Sequence, residues 1–89
     1  MARHLSAMKR ARQNKKRRVR NQSRKTRVKN VVREVRQALN KQDAASAETA
    51  LTKAIPIIAQ VAGKGTMHWR AAARKISRLT RQVNAIKSA

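Results

Sequence analysis

The chain has no cysteine, phenylalanine or tyrosine, and within its 89 residues there are one tryptophan, one proline, two glycines and three acids. Without cysteine there is neither a disulfide framework nor a thiolate metal site, and no redox clue to compartment. No stretch of about 18 apolar residues could span a bilayer, and the N-terminus lacks the apolar core of an export signal, so the chain reads as intracellular. Residues 9 to 27 offer no apolar face, which argues against both a mitochondrial transit peptide and a membrane-active cationic helix. With 89 residues there is one domain, 1–89, and too little interior to enclose a substrate pocket. An enzyme is not expected, nor a cofactor, a metal or a small-molecule substrate. Ser23, Ser77 and Ser88 have no base partner set and are not read as nucleophiles.

The shortage of acids is the most consequential. Glu34, Asp43 and Glu48 face 24 Lys and Arg, which leaves a formal net charge of +21. Thirteen of those bases fall within residues 1 to 30, where there is no acid at all. Charges packed that densely repel one another unless a polyanion is near, and nucleic acid is the obvious counter-charge.

Ala, Arg, Lys, Gln and Leu, all good helix formers, dominate the rest, so an all-α fold is expected. Ser6 is a candidate N-cap for a first helix over 6–40, whose apolar residues recur at helical spacing as Val28, Val31/Val32, Val35 and Leu39. After a short turn at Asn40, Lys41 and Gln42, Asp43 is a natural cap for a second helix over 43–62, with Glu48 near its positive end. Its stripe is Ala47, Ala50/Leu51, Ala54, Ile57/Ile58 and Val61, and Pro56 should kink it. Gly63-Lys64-Gly65 closes that helix, and Thr66 is placed to cap a third over 66–87. There Trp69, Ala72, Ile76, Leu79, Val83 and Ile86 form a seam stepping by 3 and 4.

The first helix is too long for the bundle it joins. From residue 6 to 40 it spans about 50 Å, against a radius of gyration of about 12 Å for a compact domain of this size. Tracing the valine face backwards meets Lys25, Arg24, Asn21, Arg17 and Asn14, none of which enters a core. The expected architecture is therefore a three-helix bundle with a long, projecting, basic N-terminal helix, its arm covering residues 1–27. Like-charge pairs four apart (Arg12/Lys16, Lys16/Arg20, Arg20/Arg24, Lys25/Lys29) each cost a few tenths of a kcal/mol, so the free arm is expected to fray and to become continuous helix beside phosphates.

Candidate phosphate contacts on the arm are Arg3, Lys9, Arg10, Arg12, Lys15, Lys16, Arg17, Arg18, Arg20, Arg24 and Lys25, with Asn14 and Asn21 among them. On the third helix Arg70, Arg74, Arg78 and Arg81 lie within about 80° of one another opposite the seam, with no acid interspersed. His68 is expected to be a partly buried, satisfied side chain rather than a metal ligand, and Trp69 to belong to the core rather than to stack on a base. With one aromatic only, a non-specific single-strand binder is disfavoured. The Gly63-Lys64-Gly65 spacing fits no phosphate loop.

Two separated stretches resemble a known family. Lys64-Gly65-x-x-His68-x-x-x-Ala72-Ala73-Arg74-Lys75-x-Ser77-Arg78-Leu79 looks like the C-terminal signature of the S-twenty family of bacterial small-subunit ribosomal proteins. Leu5-Ser6-Ala7-Met8-Lys9-Arg10 and Asn14-Lys15-Lys16-Arg17-Arg18-x-Arg20-Asn21 look like its N-terminus. The resemblance spans nearly the whole chain. It implies a three-helix bundle with an extended first helix, in the cytoplasm, bound to 16S rRNA in the ribosome, acting early in assembly and making few protein contacts. Carried over by position, the implied RNA contacts are the basic residues of the first motif together with Lys64, Gly65, His68, Arg74, Lys75, Ser77 and Arg78. Where that family has a polar Lys-Asn-Lys after the histidine, this chain has Trp69-Arg70-Ala71. Ala72 and Ala73 are expected to let a nucleic-acid backbone approach closely. A nucleoid-type DNA-binding protein has the same composition, and only the two motifs separate it from an RNA binder.

Overall fold

A computed structural model describes residues 2–88, with side chains from His4 onward; the candidate contact at Arg3 lies outside the described side chains. There are three helices, α1 (Ala2–Asn40), α2 (Ala44–Gly63) and α3 (Trp69–Ser88), and no strand among the described residues. Helix α2 is central. It packs antiparallel to α1 and α3 on either side, while α1 and α3 scarcely meet.

The stripes read from 3/4 spacing form the core. Val28, Val31, Val32, Val35 and Ala38 of α1 meet Ala47, Leu51, Ala54, Ile58 and Val61 of α2, which meet Ala72, Leu79 and Val83 of α3. Ile58, Val35 and Val83 are the largest fully buried side chains. Ala47 and Ala54, both wholly buried, alternate with the larger residues and let the neighbouring helices come close.

All three acids hold elements in place. The Asp43 carboxylate accepts from the Ser46 amide at 3.2 Å and the Ser46 hydroxyl at 2.7 Å, capping α2. These bonds, the hydroxyl's first, lower the Asp43 pKa below its ordinary 3.8. Glu34 takes Lys53 at 3.4 Å, tying α1 to α2. Glu48, in the second turn of α2, takes Lys87 at 3.1 Å and so ties α2 to α3 rather than serving the helix end alone. Both ion pairs are exposed and each contributes at most about 1 kcal/mol.

Both connections use one backbone device. At the end of α1 the Gln42 amide donates to Leu39 O and the Asp43 amide to Ala38 O. At the end of α2 the Gly65 amide donates to Ala62 O and the Thr66 amide to Val61 O. Each is a Schellman closure that needs a left-handed residue, supplied by Gln42 (φ 53) in the first and Gly65 (φ 78) in the second.

Three expectations are corrected. Helix α1 begins at Ala2, not at a Ser6 cap, because nothing in Ala2 to Leu5 opposes helix. The arm is helical along its whole length in this structure, with no Gly or Pro to interrupt residues 2–40. Thr66 does not cap α3, which starts at Trp69 with His68 as the cap: the His68 carbonyl accepts from Ala72 N at 3.1 Å and His68 Nδ1 from Arg70 N at 3.1 Å. The free arm is also shorter than residues 1–27, because the α2–α3 connection docks on its base. The Thr66 hydroxyl donates to Asn21 Oδ1 at 3.1 Å and accepts from the Arg24 guanidinium at 3.3 Å. At Pro56, where the missing N–H removes one bond of the ladder, α2 continues unbroken.

The projecting part, residues 2–20, is about 28 Å of helix. It gives the molecule extents of 68 × 21 × 14 Å and a radius of gyration of 17.9 Å, half as large again as the roughly 12 Å of a compact chain of this length.

Candidate nucleic-acid interface

The arm carries its charge on every side. Lys9, Arg10, Arg12, Lys15, Lys16, Arg17, Arg18 and Arg20 are all exposed. At 100° per residue they fan around the whole helix instead of sharing one face. Such a rod suits a crevice between several phosphate backbones better than one flat surface. Asn14 is exposed among them, whereas Asn21 and Arg24 spend bonds on Thr66 and fix the angle between arm and bundle.

Where the arm leaves the bundle it forms a corner with the α2–α3 connection. Lys64 and Gly65 are exposed there, as are His68, Trp69 and Arg70 at the start of α3. Gly65 is required for its left-handed backbone, and a side chain added to it would meet nothing within 4 Å, so its surface is open. Two readings fail at this corner. His68 is exposed rather than partly buried, with its Nδ1 occupied as a helix cap. Trp69 is 64% exposed rather than in the seam, because α3 begins there and Met67, half-buried, packs against the end of the core instead. The indole stacks on the His68 ring at 5.9 Å between centroids and 23° between planes, and the Arg70 guanidinium lies 5.2 Å from its centroid.

Along α3, Arg70, Arg74, Ser77, Arg78 and Arg81 are exposed on the side away from Ala72, Leu79 and Val83. Ala73 is exposed too, but Ala72 is 4% exposed and belongs to the core, so it cannot admit a nucleic-acid backbone.

Lys75 points elsewhere. With Lys25, Lys29, Arg33 and Arg36 it lines a groove between α1 and α3, open because those helices scarcely touch. Sequence reasoning singled out Lys25 and Lys75 but missed Lys29, Arg33 and Arg36 as candidates. The signal was there, since residues 25, 29, 33 and 36 step by 4, 4 and 3 beside the valine face. It stayed hidden because α1–α3 separation is not written in either helix alone.

No acid is paired with any of these bases: the two ion pairs among the described residues use Lys53 and Lys87. No group of three His, Cys, Asp or Glu among the described residues could hold a metal ion, and no helix is long and apolar enough to cross a membrane. The arrangement offers dense, unneutralised cations on an arm, a corner, a groove and an outer helix face, and no arrangement of nucleophile and base.

Comparison with known proteins gives a consistent result. The profile of the family described as Ribosomal protein S20 matches residues 2–84. The chain is 54% identical over 89 residues, covering 100% of both chains, to the small ribosomal subunit protein bS20 of Solidesulfovibrio magneticus. It is 51% identical over 86 residues to that of Nitratidesulfovibrio vulgaris strain DP4, covering 97% of this chain and 99% of the relative. Over 86 residues it is 45% identical to that of Geobacter metallireducens, with the same coverage.

Proposed function

This chain belongs to the ribosomal protein S20 family, and from that premise we propose that it binds 16S rRNA directly, through its basic arm and the basic surfaces of its bundle. As a member it is a structural constituent of the small ribosomal subunit in the bacterial cytoplasm and not an enzyme. The observation that carries the RNA reading is the arm: about 28 Å of projecting helix, cationic on all sides and free of acids.

Lys and Arg on the arm neutralise phosphates from more than one rRNA helix and release their counterions, which supplies most of the affinity. The forked guanidinium groups of Arg10, Arg17, Arg18 and Arg20 bridge phosphate oxygens in pairs. Backbone shape and phosphate spacing are read rather than base edges, because the major groove of A-form RNA is too narrow for side chains. The bundle then contacts the same RNA with Lys64, Arg74, Arg78 and Arg81, while Lys25, Lys29, Arg33, Arg36 and Lys75 hold a backbone in the α1–α3 groove. Asn21, Thr66 and Arg24 act indirectly by setting the angle between the two parts. The protein thereby holds rRNA helices together during and after assembly.

Charge reversal of Arg17, Arg18 and Arg20 to Glu tests this. Binding to 16S rRNA should fall by at least 1000-fold, far more than for any single contact, with the bundle's helicity unchanged by circular dichroism. Unchanged affinity in the triple variant would contradict the reading.

A further inference from the structure

The exposed indole at the corner is not accounted for by phosphate binding. Buried side chains of the core are aliphatic throughout, and the chain's only aromatic of the Phe, Trp and Tyr type stands 64% exposed at the first residue of α3. On α1 the exposed large apolar residues, Leu5, Met8 and Val19, are non-aromatic side chains on the arm. Trp69 differs in having a fixed setting. His68 is held by the bond from the Arg70 amide to its Nδ1, and its ring lies 5.9 Å from the indole at 23°. The Arg70 guanidinium lies 5.2 Å from the same ring.

We propose that Trp69 is a stacking platform for one unpaired base of the bound RNA, and this rests on the RNA-binding reading above. The occupant is identified by the surroundings. An indole is a flat apolar face that any base can cover. The Arg70 guanidinium lies beside the ring, and Lys64 in the α2–α3 connection and Arg74 on the next turn of α3 are further exposed cations on segments that carry no acid, so the occupant is flat, aromatic and attached to anionic groups. A base splayed from a loop or bulge has those properties, whereas a paired base keeps its faces inside the duplex. On arrival of the base, the Arg70 guanidinium either sandwiches it or swings to the adjoining phosphate, which its long exposed side chain allows. His68 is a positioning residue that keeps the backbone of α3's first turn, and so the indole, in place. Specificity for a kind of site then comes from geometry: the base must lie unpaired one corner away from the helices the arm engages.

Because the chain has one tryptophan and no tyrosine, its intrinsic fluorescence reports on this site alone. The full chain is titrated with 16S rRNA, with single-stranded poly(A) and with fully paired RNA duplex, and affinities are measured for Trp69→Ala and Trp69→Phe. Emission should be quenched by 16S rRNA and by poly(A) but hardly by duplex bound at the same low salt. Trp69→Ala should weaken 16S rRNA binding about 5- to 50-fold, and Trp69→Phe should restore most of it. Circular dichroism of both variants should match the parent, since the side chain lies outside the core. Tight 16S rRNA binding with unquenched emission, and with Trp69→Ala binding like the parent, would overturn the platform, leave the RNA reading standing, and turn the indole over to a protein neighbour. Failure of the parent chain to bind 16S rRNA at all would overturn both.

Discussion

Gln42 sits with φ 53, a left-handed conformation that costs an L residue about 1 to 2 kcal/mol, whereas the matching position at the end of α2 is Gly65. Gln42→Gly should therefore stabilise the chain by about 0.5 to 1 kcal/mol net of the extra freedom glycine has when unfolded, seen as a raised thermal midpoint. A lowered midpoint would mean that Gln42 makes a contact outweighing its strain. Ile58 is the opposite case. It is fully buried in the core on the central helix α2, so Ile58→Ala should cost about 2 to 5 kcal/mol, enough to unfold much of a small domain at room temperature by circular dichroism. Both positions tell what was legible in single residues. Ile58 stood out from its neighbours Leu51, Ala54 and Val61 at helical spacing, but nothing about Gln42 marks it as the left-handed residue of a Schellman closure. Trp69 was misread for a related reason. Periodicity extends a seam for as long as apolar residues continue, and it does not mark where the helix starts or that Met67 closes the core in place of the indole.

Among the elements, α2 is the one whose start was most readable, since an Asp followed by small helix formers specifies a cap by chemistry alone. Because the folded-state pKa of Asp43 is lowered, the cap's contribution is present above the ordinary value of 3.8 and is lost as pH falls through the lower folded value. Thermal midpoints should accordingly drop below about pH 4, and Asp43→Asn, which keeps a capping oxygen, should remove that part of the pH dependence while preserving most of the stability at pH 7. An unchanged acid profile in Asp43→Asn would show that the cap does not titrate. The start of α3 was not readable in this way, because histidine is an uncommon cap and Thr66, better suited by type, is committed to Asn21 and Arg24. In α1 every described side chain ahead of Asn21 is exposed, and among the described residues no side-chain hydrogen bond or ion pair ties that part of the arm to the bundle. Its amides from about residue 5 to 20 should exchange with solvent far faster than those of Ala47 to Val61, and slow on binding RNA. Equal protection in the free chain would contradict the view that like-charge repulsion leaves the arm only marginally helical.

At the scale of the whole molecule, charge and length foretold most of the design. A helix too long for its bundle had to project, and its 13 bases with no acid in the first 30 residues are the ground for proposing a polyanion partner. Which surfaces join it depends on packing that neither helix records: the loop docking at Asn21 makes the corner, and the gap between α1 and α3 makes a basic groove of Lys25, Lys29, Arg33, Arg36 and Lys75. The acids complete the pattern. Glu34, Asp43 and Glu48 all lie within the bundle, so the arm's field is unopposed along its length. An account built on that field, shaped by the corner and groove, is tested most directly by a salt titration of the full chain against a 16S rRNA fragment and duplex DNA of equal length. It predicts that both affinities fall steeply between about 50 and 200 mM salt, as counterion release requires, while 16S rRNA stays preferred by about 100-fold or more, roughly 3 kcal/mol, throughout. Equal binding of RNA and DNA, lost together as salt rises, would reduce the chain to a general polyanion binder and contradict direct, shape-selective recognition of 16S rRNA.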